Sequence, residues 1–189
     1  TMYMNSLSDR ERDQFNSWMK RNFDFSVHVS NEAGHVMIKV STHGGKSRNL
    51  ADMGYGFSQM LPLLIQIWSA QSLNRSTLLG IPRRETKRNL VIEQPELHLH
   101  PAMQAKLADV FAGYVNEGAG RNTALIETHS EHLINRVGAL VSEGDLHKDS
   151  VQVVLFDKTD DGTELKVAEF DDNGVLQNWP YGFLEPDFF

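Results

Sequence analysis

Arg88-Asn89-Leu90-Val91-Ile92-Glu93-Gln94-Pro95-Glu96-Leu97-His98-Leu99-His100-Pro101 is the stretch that decides the fold. Leu90, Val91 and Ile92 form a short apolar run with β-branched members, the pattern of a strand buried on both faces of a parallel sheet. Two carboxylates, Glu93 and Glu96, and the amide of Gln94 crowd its carboxyl end. Open α/β sheets place ligands at that edge, and a glutamate there can hold a hard cation such as Mg²⁺ through oxygen. A strand that simply leaves the core for a polar loop would show the same residues, so this stretch alone leaves both readings open.

Downstream, Pro101 suits the first position of a helix, and Met103, Leu107, Val110, Phe111 and Val115 recur at helical spacing until Gly118-Ala119-Gly120. Ala124-Leu125-Ile126 reads as the next buried strand, delivering Glu127, Thr128 and His129 to the same edge as Glu93. A helix from Ser130 then buries Leu133, Ile134, Val137 and Leu140. Beyond Asp149, Val151, Val153 and Leu155 alternate with polar residues, as do Leu165 and Val167, with Asp160-Asp161-Gly162 as the turn. The chain is expected to close on aromatic residues, Trp179, Phe183, Phe188 and Phe189, in a β-rich tail.

Upstream, Gly54 and Gly56 allow a tight turn and Ser58 suits an N-cap, so a helix is expected from Ser58 with Pro62 in its first turn and Leu61, Leu64, Ile65 and Trp68 on it. Free N–H groups at such a helix start suit a phosphate. Residues 71–88, with Arg83, Arg84, Lys87 and Arg88, read as a polar connection, and the basic group is a candidate for phosphate-backbone contact. Near the amino end, Ser8 and Glu11 stand at capping-box spacing before Phe15, Trp18 and Met19, which predicts a helix ending near Phe23. Phe25, Val27 and Val29, then Val36, Ile38 and Val40 after Asn31-Glu32-Ala33-Gly34, predict a β-hairpin. His28 and His35 fall on it as surface residues.

Val40-Ser41-Thr42-His43-Gly44-Gly45-Lys46-Ser47 comes close to the phosphate-cradling pattern G-x-x-x-x-G-K-S. Val40 replaces the first glycine, and Gly54 and Gly56 follow too soon for the long helix whose start must face the phosphates. This segment is therefore read as a decoy.

At 189 residues and 40% hydrophobic, the chain can bury the core of one domain or one large lobe. No apolar run approaches a membrane span and no signal pattern opens the chain. Cysteine is absent, which excludes disulfides and thiolate metal sites and allows a reducing, cytoplasmic setting. A net charge of −7 argues against a uniformly basic nucleic-acid surface. Beginning at Thr1, the sequence is expected to be part of a longer product.

Glu93-Gln94-Pro95-Glu96-Leu97-His98-Leu99-His100-Pro101 resembles the Walker B and D-loop of ABC-type P-loop ATPases of the SMC, RecF and OLD-like group. Ala51 to Pro62 resembles the signature segment of that group, and Glu127-Thr128-His129-Ser130-Glu131-His132-Leu133 its switch-histidine loop. The end, Trp179-Pro180-Tyr181-Gly182-Phe183, resembles an uncharacterised prokaryotic family of these ATPases whose chains close in Trp-Pro-x-Gly-Phe. The resemblance covers roughly residues 15 to 189. It implies an α/β carboxyl-terminal lobe of a P-loop ATPase with a largely parallel sheet flanked by helices: a helix and hairpin over 1–50, the ATPase lobe over 51–150, and a β-rich extension over 151–189. The Walker A loop would lie far upstream of the signature, outside this chain.

The resemblance also implies roles, with ATP and Mg²⁺ as cofactors. Glu93 would hold the Mg²⁺ shell, and Gln94 would stand where relatives carry the glutamate that polarises water. Glutamine cannot accept a proton, so Glu96 or Glu127 would substitute or turnover would be slow. His129 would bond the γ-phosphate. Gly56, Ser58 and Gln59 would reach ATP held by the opposite subunit, although the segment here is G-Y-G-F-S-Q and not L-S-G-G-Q. Leu99 and His100 would meet that subunit, so a homodimer is expected. The implied process is DNA repair or anti-phage defence, with nucleic acid or an effector protein as further partner and no membrane. The fragment alone would be inactive. Two other classes remain: a catalytically weak sensing or interaction domain, favoured by Gln94 and the absent Walker A, and a metal-dependent hydrolase built from His98, His100, His129, His132 and Glu96.

Overall fold

Ser8 closes the capping box that its spacing to Glu11 predicts. In the computed structural model its hydroxyl accepts the Glu11 N–H at 3.3 Å, while the Glu11 carboxylate takes the Ser8 N–H at 2.8 Å. The structure describes residues 4, 6–32, 35–42, 45, 47–75, 87–118 and 120–179. The box opens α1 (Asp9–Phe23), whose Phe15, Trp18, Met19 and Phe23 recur at helical spacing and are buried. Asp24, in the left-handed region at φ 62°, ends it by donating its N–H to the Lys20 carbonyl.

The chain divides into two compact units, residues 1–87 with 97–103, and residues 88–96 with 104–189. In the first, β1 (Phe25–Glu32) and β2 (His35–Thr42) form the expected antiparallel hairpin, with β3 (Arg48–Asn49) added to β2. Phe25, Val27 and Val40 point inward, and the Val27 N–H is fixed by the Asn16 side chain of α1 at 2.7 Å. The rings of Phe15 and Trp68 meet edge to face at 5.2 Å, and Phe25 meets Phe57 at 5.5 Å, joining α1, β1 and α2 (Tyr55–Arg75) into one aromatic core. Met60, Leu61, Leu64, Ile67, Trp68 and Gln71 form the buried stripe of α2.

Helix α2 corrects the sequence reading. It begins at Tyr55, so Ser58 is its fourth residue and not its N-cap, and Pro62 is its eighth residue, beyond the first turn. Gly54, at φ 92° and ψ 166°, makes the turn into the helix, a backbone region open to glycine alone. The helix runs on to Arg75, which takes 71–75 out of the expected polar connection; Arg83 and Arg84 lie outside the described residues. No α-helix follows Ser47, where β3 and a 3₁₀ turn (Leu50–Met53) come instead, and His43, Gly44 and Lys46 of the decoy lie outside the described residues.

In the second unit, β4 (Arg88–Glu93) and β5 (Asn122–Glu127) pair in parallel, from Arg88 with Asn122 to Glu93 with Glu127. The crossover is α3 (Pro101–Glu117), with Pro101 at its first position as expected. Helix α4 (Glu131–Ser142) is capped by Ser130, whose hydroxyl accepts the Leu133 N–H at 3.1 Å. Arg136 of α4 binds Asp109 of α3 at 2.8 Å and Glu143 at 3.1 Å, and these hydrogen bonds, Asp109 first, raise its pKa.

Neither strand is buried on both faces. Val91 is 66% exposed and its register partner Leu125 is 67% exposed, because the described parallel sheet is this single pair and residues alternate across it. The other two sheets are antiparallel. β6 (Val153–Thr159) and β7 (Gly162–Phe170) form the expected hairpin, extended by β8 (Leu176–Gln177). Register puts Val153 and Leu155 on one face with Ala168, whereas Leu165 and Val167 share the opposite, exposed face with Phe156 and Val154. The two apolar sets read together in the sequence therefore face opposite ways. Residues 180–189 of the aromatic tail lie outside the described residues. Among the described residues no helix is long and apolar enough to cross a membrane.

Candidate functional site

Two adjacent parallel strands that end in register bring their terminal side chains to one edge, and here both terminal residues are acids, Glu93 and Glu127. Both are exposed. The next residue, Gln94, is held in the left-handed region at φ 43°, its N–H donating to the Glu127 carbonyl at 2.8 Å. A non-glycine residue there is strained, and such strain persists only where surrounding bonds over-determine it. This bond ends the ladder and turns the chain sharply, so that Pro95 and Glu96 lead away from the sheet.

Glu96 differs from the other acids. It is 6% exposed, its Oε1 accepts the His129 N–H at 2.7 Å, and its Oε2 is buried with no hydrogen-bond partner. Its carbonyl takes a long bond, 3.5 Å, from Gln104 Nε2, and Gln104 Oε1 accepts the Ser130 hydroxyl at 2.6 Å. Ser130 N–H in turn donates to Thr128 Oγ1 at 3.1 Å. The main chain from Thr128 to Ser130 is thus fixed at several points, while the side chain of His129 is exposed. Glu131 and His132 open α4, as their place after Ser130 predicts. Glu93, Gln94, Glu96, Glu127 and His129 therefore all lie in the second unit.

Gly56, Ser58, Gln59 and His100 lie in the first. An α-helix leaves its first N–H groups without intrahelical partners, here those of Tyr55, Gly56 and Phe57. Gly56 is buried, and a Cβ there would meet the His98 carbonyl, with Leu99 Cδ2 at 3.0 Å. Close packing against the loop before α3 thus explains the second glycine, in place of the tight turn expected. His98 itself sits at φ 61°, and its ring meets Tyr55 edge to face at 5.2 Å. His100 Nδ1 accepts the Ala102 N–H at 3.3 Å. Ser58 is half-buried and Gln59 exposed on the first turns of α2. Pro62 lacks the N–H that would bond the Ser58 carbonyl, which frees that acceptor from the helix ladder.

Sequence reasoning missed Gln104, the bridge between Glu96 and Ser130, which carries no signal beyond a polar residue early in a helix. It also missed the packing role of His98. The donor set fits Mg²⁺ through oxygen at Glu93, an exposed carboxylate at the end of β4. Among the described residues no group of three or more His, Asp or Glu side chains is arranged to hold a metal ion.

The family model described as AAA domain, putative AbiEii toxin, Type IV TA system, matches residues 2–135. No curated protein matches the chain. A solved structure from work on the structural biochemistry of ATP-driven dimerization and DNA stimulated activation of SMC ATPases is similar at TM-score 0.54 and 14% identity, covering 86% of this chain and 84% of that one. At that identity the likeness shows the fold alone, an α/β fold similar to that of the SMC ATPase structure.

Proposed function

The chain belongs to this AAA-domain family, and from that premise we propose that it forms the Walker B, signature and switch part of an SMC-like ATPase that hydrolyses ATP while paired with a second copy. The observation that carries the reading is the register of Glu93 with Glu127 at the carboxyl ends of two parallel strands, next to a strained Gln94 and an exposed His129. Bound ATP with Mg²⁺ supplies the phosphoryl group that is transferred to water, the metal screening its charge. Glu93, whose carboxylate has no partner among the described residues, holds the metal shell.

Gln94 orients the attacking water through its amide but cannot take its proton. Glu127, exposed across the strand pair, is the carboxylate placed to accept it. His129 donates to phosphate from the switch loop. Gly56, Ser58 and Gln59 offer the first turns of α2 to the phosphate of ATP held by the other copy, the helix dipole favouring negative charge there. His100, one of its ring nitrogens already bonded at the start of α3, faces the same partner from the D-loop. The Trp-Pro-x-Gly-Phe motif supports a reading within a prokaryotic branch of the SMC, RecF and OLD-like group. The process served is anti-phage defence or DNA repair in the cytoplasm, with nucleic acid or an effector protein as partner.

A second reading, nucleotide sensing with slow turnover, is favoured by Gln94. ATP turnover by the full-length protein separates the two. The ATPase reading expects Glu93→Ala to lower the rate about 100-fold or more, the loss of several kcal/mol of charge stabilisation. It also expects residues 1–189 alone to be inactive and Lys46→Ala to leave the full-length rate unchanged. Turnover indifferent to Glu93→Ala would overturn it.

A further inference from the structure

We infer that Glu96 is a positioning residue for the switch loop, setting the main chain of His129 so that its imidazole stands beside Glu93 and Glu127. The inference rests on the ATPase reading and deepens it. Glu96 is the one buried acid of the strand-end group, and its Oε1 accepts the His129 N–H at 2.7 Å. A hydrogen bond to a carboxylate is short and strong, and this one joins the loop after β4 to the loop after β5.

The circuit closes through the main chain as well. Ser130 donates to Gln104, Gln104 donates to the Glu96 carbonyl, and the Ser130 hydroxyl also caps α4. Side chain and backbone of Glu96 therefore both hold residues 129–130. An amide at position 96 would offer the His129 N–H the same kind of oxygen acceptor that Glu96 Oε1 provides. Burial keeps Glu96 away from bulk water, whereas Glu93 and Glu127 are exposed.

The test compares Glu96→Ala, Glu96→Gln, His129→Ala and the double variant Glu96→Ala with His129→Ala in the full-length protein. Glu96→Ala is expected to lower kcat about 10- to 100-fold, the size of effect that a misplaced catalytic group produces, with KM for ATP nearly unchanged. Glu96→Gln should recover most of that loss. The double variant should be no slower than His129→Ala alone, because Glu96 acts through His129. Gln104→Ala, which leaves the carboxylate in place, should give a smaller loss that also vanishes in the His129→Ala background. Hydrogen exchange at the His129 amide provides a readout independent of turnover: protected in the wild type and in Glu96→Gln, unprotected in Glu96→Ala. Losses that multiply in the double variant, or a His129 amide equally protected in Glu96→Ala, would overturn the inference. Absence of turnover in the wild type would instead overturn the ATPase reading, leaving the amide readout to decide whether Glu96 holds the loop.

Discussion

The carbonyl of His98 lies where a side chain on Gly56 would have to begin, so the first turn of α2 and the loop before α3 are seated backbone against backbone. Gly56→Ala should therefore destabilise the fold by about 1–3 kcal/mol through overpacking. Gly54→Ala meets nothing within 4 Å, yet its φ of 92° with ψ of 166° should give a loss of about 1–3 kcal/mol from backbone strain alone. Denaturant titration of both variants checks this. A Gly56→Ala protein as stable as the parent would show that the loop yields easily.

Gly138 of α4 and Gly174 of the turn after β7 form a second such contact, each occupying the place of the other's Cβ. The turn is rigid: Asp171 Oδ1 accepts from both Asn173 and Val175 N–H at 2.9 Å, and Lys148 reaches Asp172 at 2.7 Å. Gly174→Ala should destabilise more than Gly138→Ala, because it adds the strain of φ 72° to the clash. The two changes should not add, since both disrupt one contact. Thermal or denaturant unfolding of the single and double variants measures this directly.

The amino-terminal helix should respond to acid. The Ser8 hydroxyl, and after it the Ser8 N–H, hold the Glu11 carboxyl below its ordinary value of 4.5. A carboxyl whose pKa is lower in the folded state stabilises above its unfolded value, and that contribution is lost as pH falls through the lowered one. Stability measured from pH 6 downward should thus fall in that acidic window, and Ser8→Ala should reduce the slope. An unchanged slope in Ser8→Ala would show that the box contributes nothing measurable.

How far the fold could be read from sequence depended on whether the deciding interaction was local. Ser8 with Glu11, Pro101, Gly118 and Ser130 mark helix ends through bonds to their own neighbours, and α1, α3 and α4 lie where those residues put them. The start of α2 was misread because Gly56 looks like a turn glycine, whereas the need for it comes from His98, far along the chain. The burial of Glu96 was equally hidden: an acid in a polar run reads as surface until the His129 N–H is seen to meet it. Val91 and Leu125 look like core because apolarity shows what a residue prefers, not what covers it. Within the candidate site, the strand-end positions of Glu93 and Glu127 were legible from the apolar runs before them, while the bridging position of Gln104 was not.

Gln94 marks where chemistry and sequence disagree. Gln94→Glu restores a proton acceptor beside Glu93 and should preserve or raise turnover, whereas Glu127→Gln should lower it by about 10²–10⁴, the usual contribution of a general base. Steady-state ATP hydrolysis by the full-length variants decides between them. Equal rates for Glu127→Gln and the parent would remove Glu127 from the role of base.

Pairing is the central claim, because the N–H groups at the start of α2 are proposed to serve ATP held by the other copy. Ser58→Arg places a bulky group on the first turns of α2, while Glu93→Ala removes the metal-holding acid, and each homodimer should be inactive. Mixing the two should restore turnover, since one interface then combines an intact Glu93 with an intact Ser58. ATP hydrolysis by purified mixed dimers is the measurement. Regained activity is the predicted result, and proven mixed dimers that remain as inactive as either parent would contradict a site shared between copies.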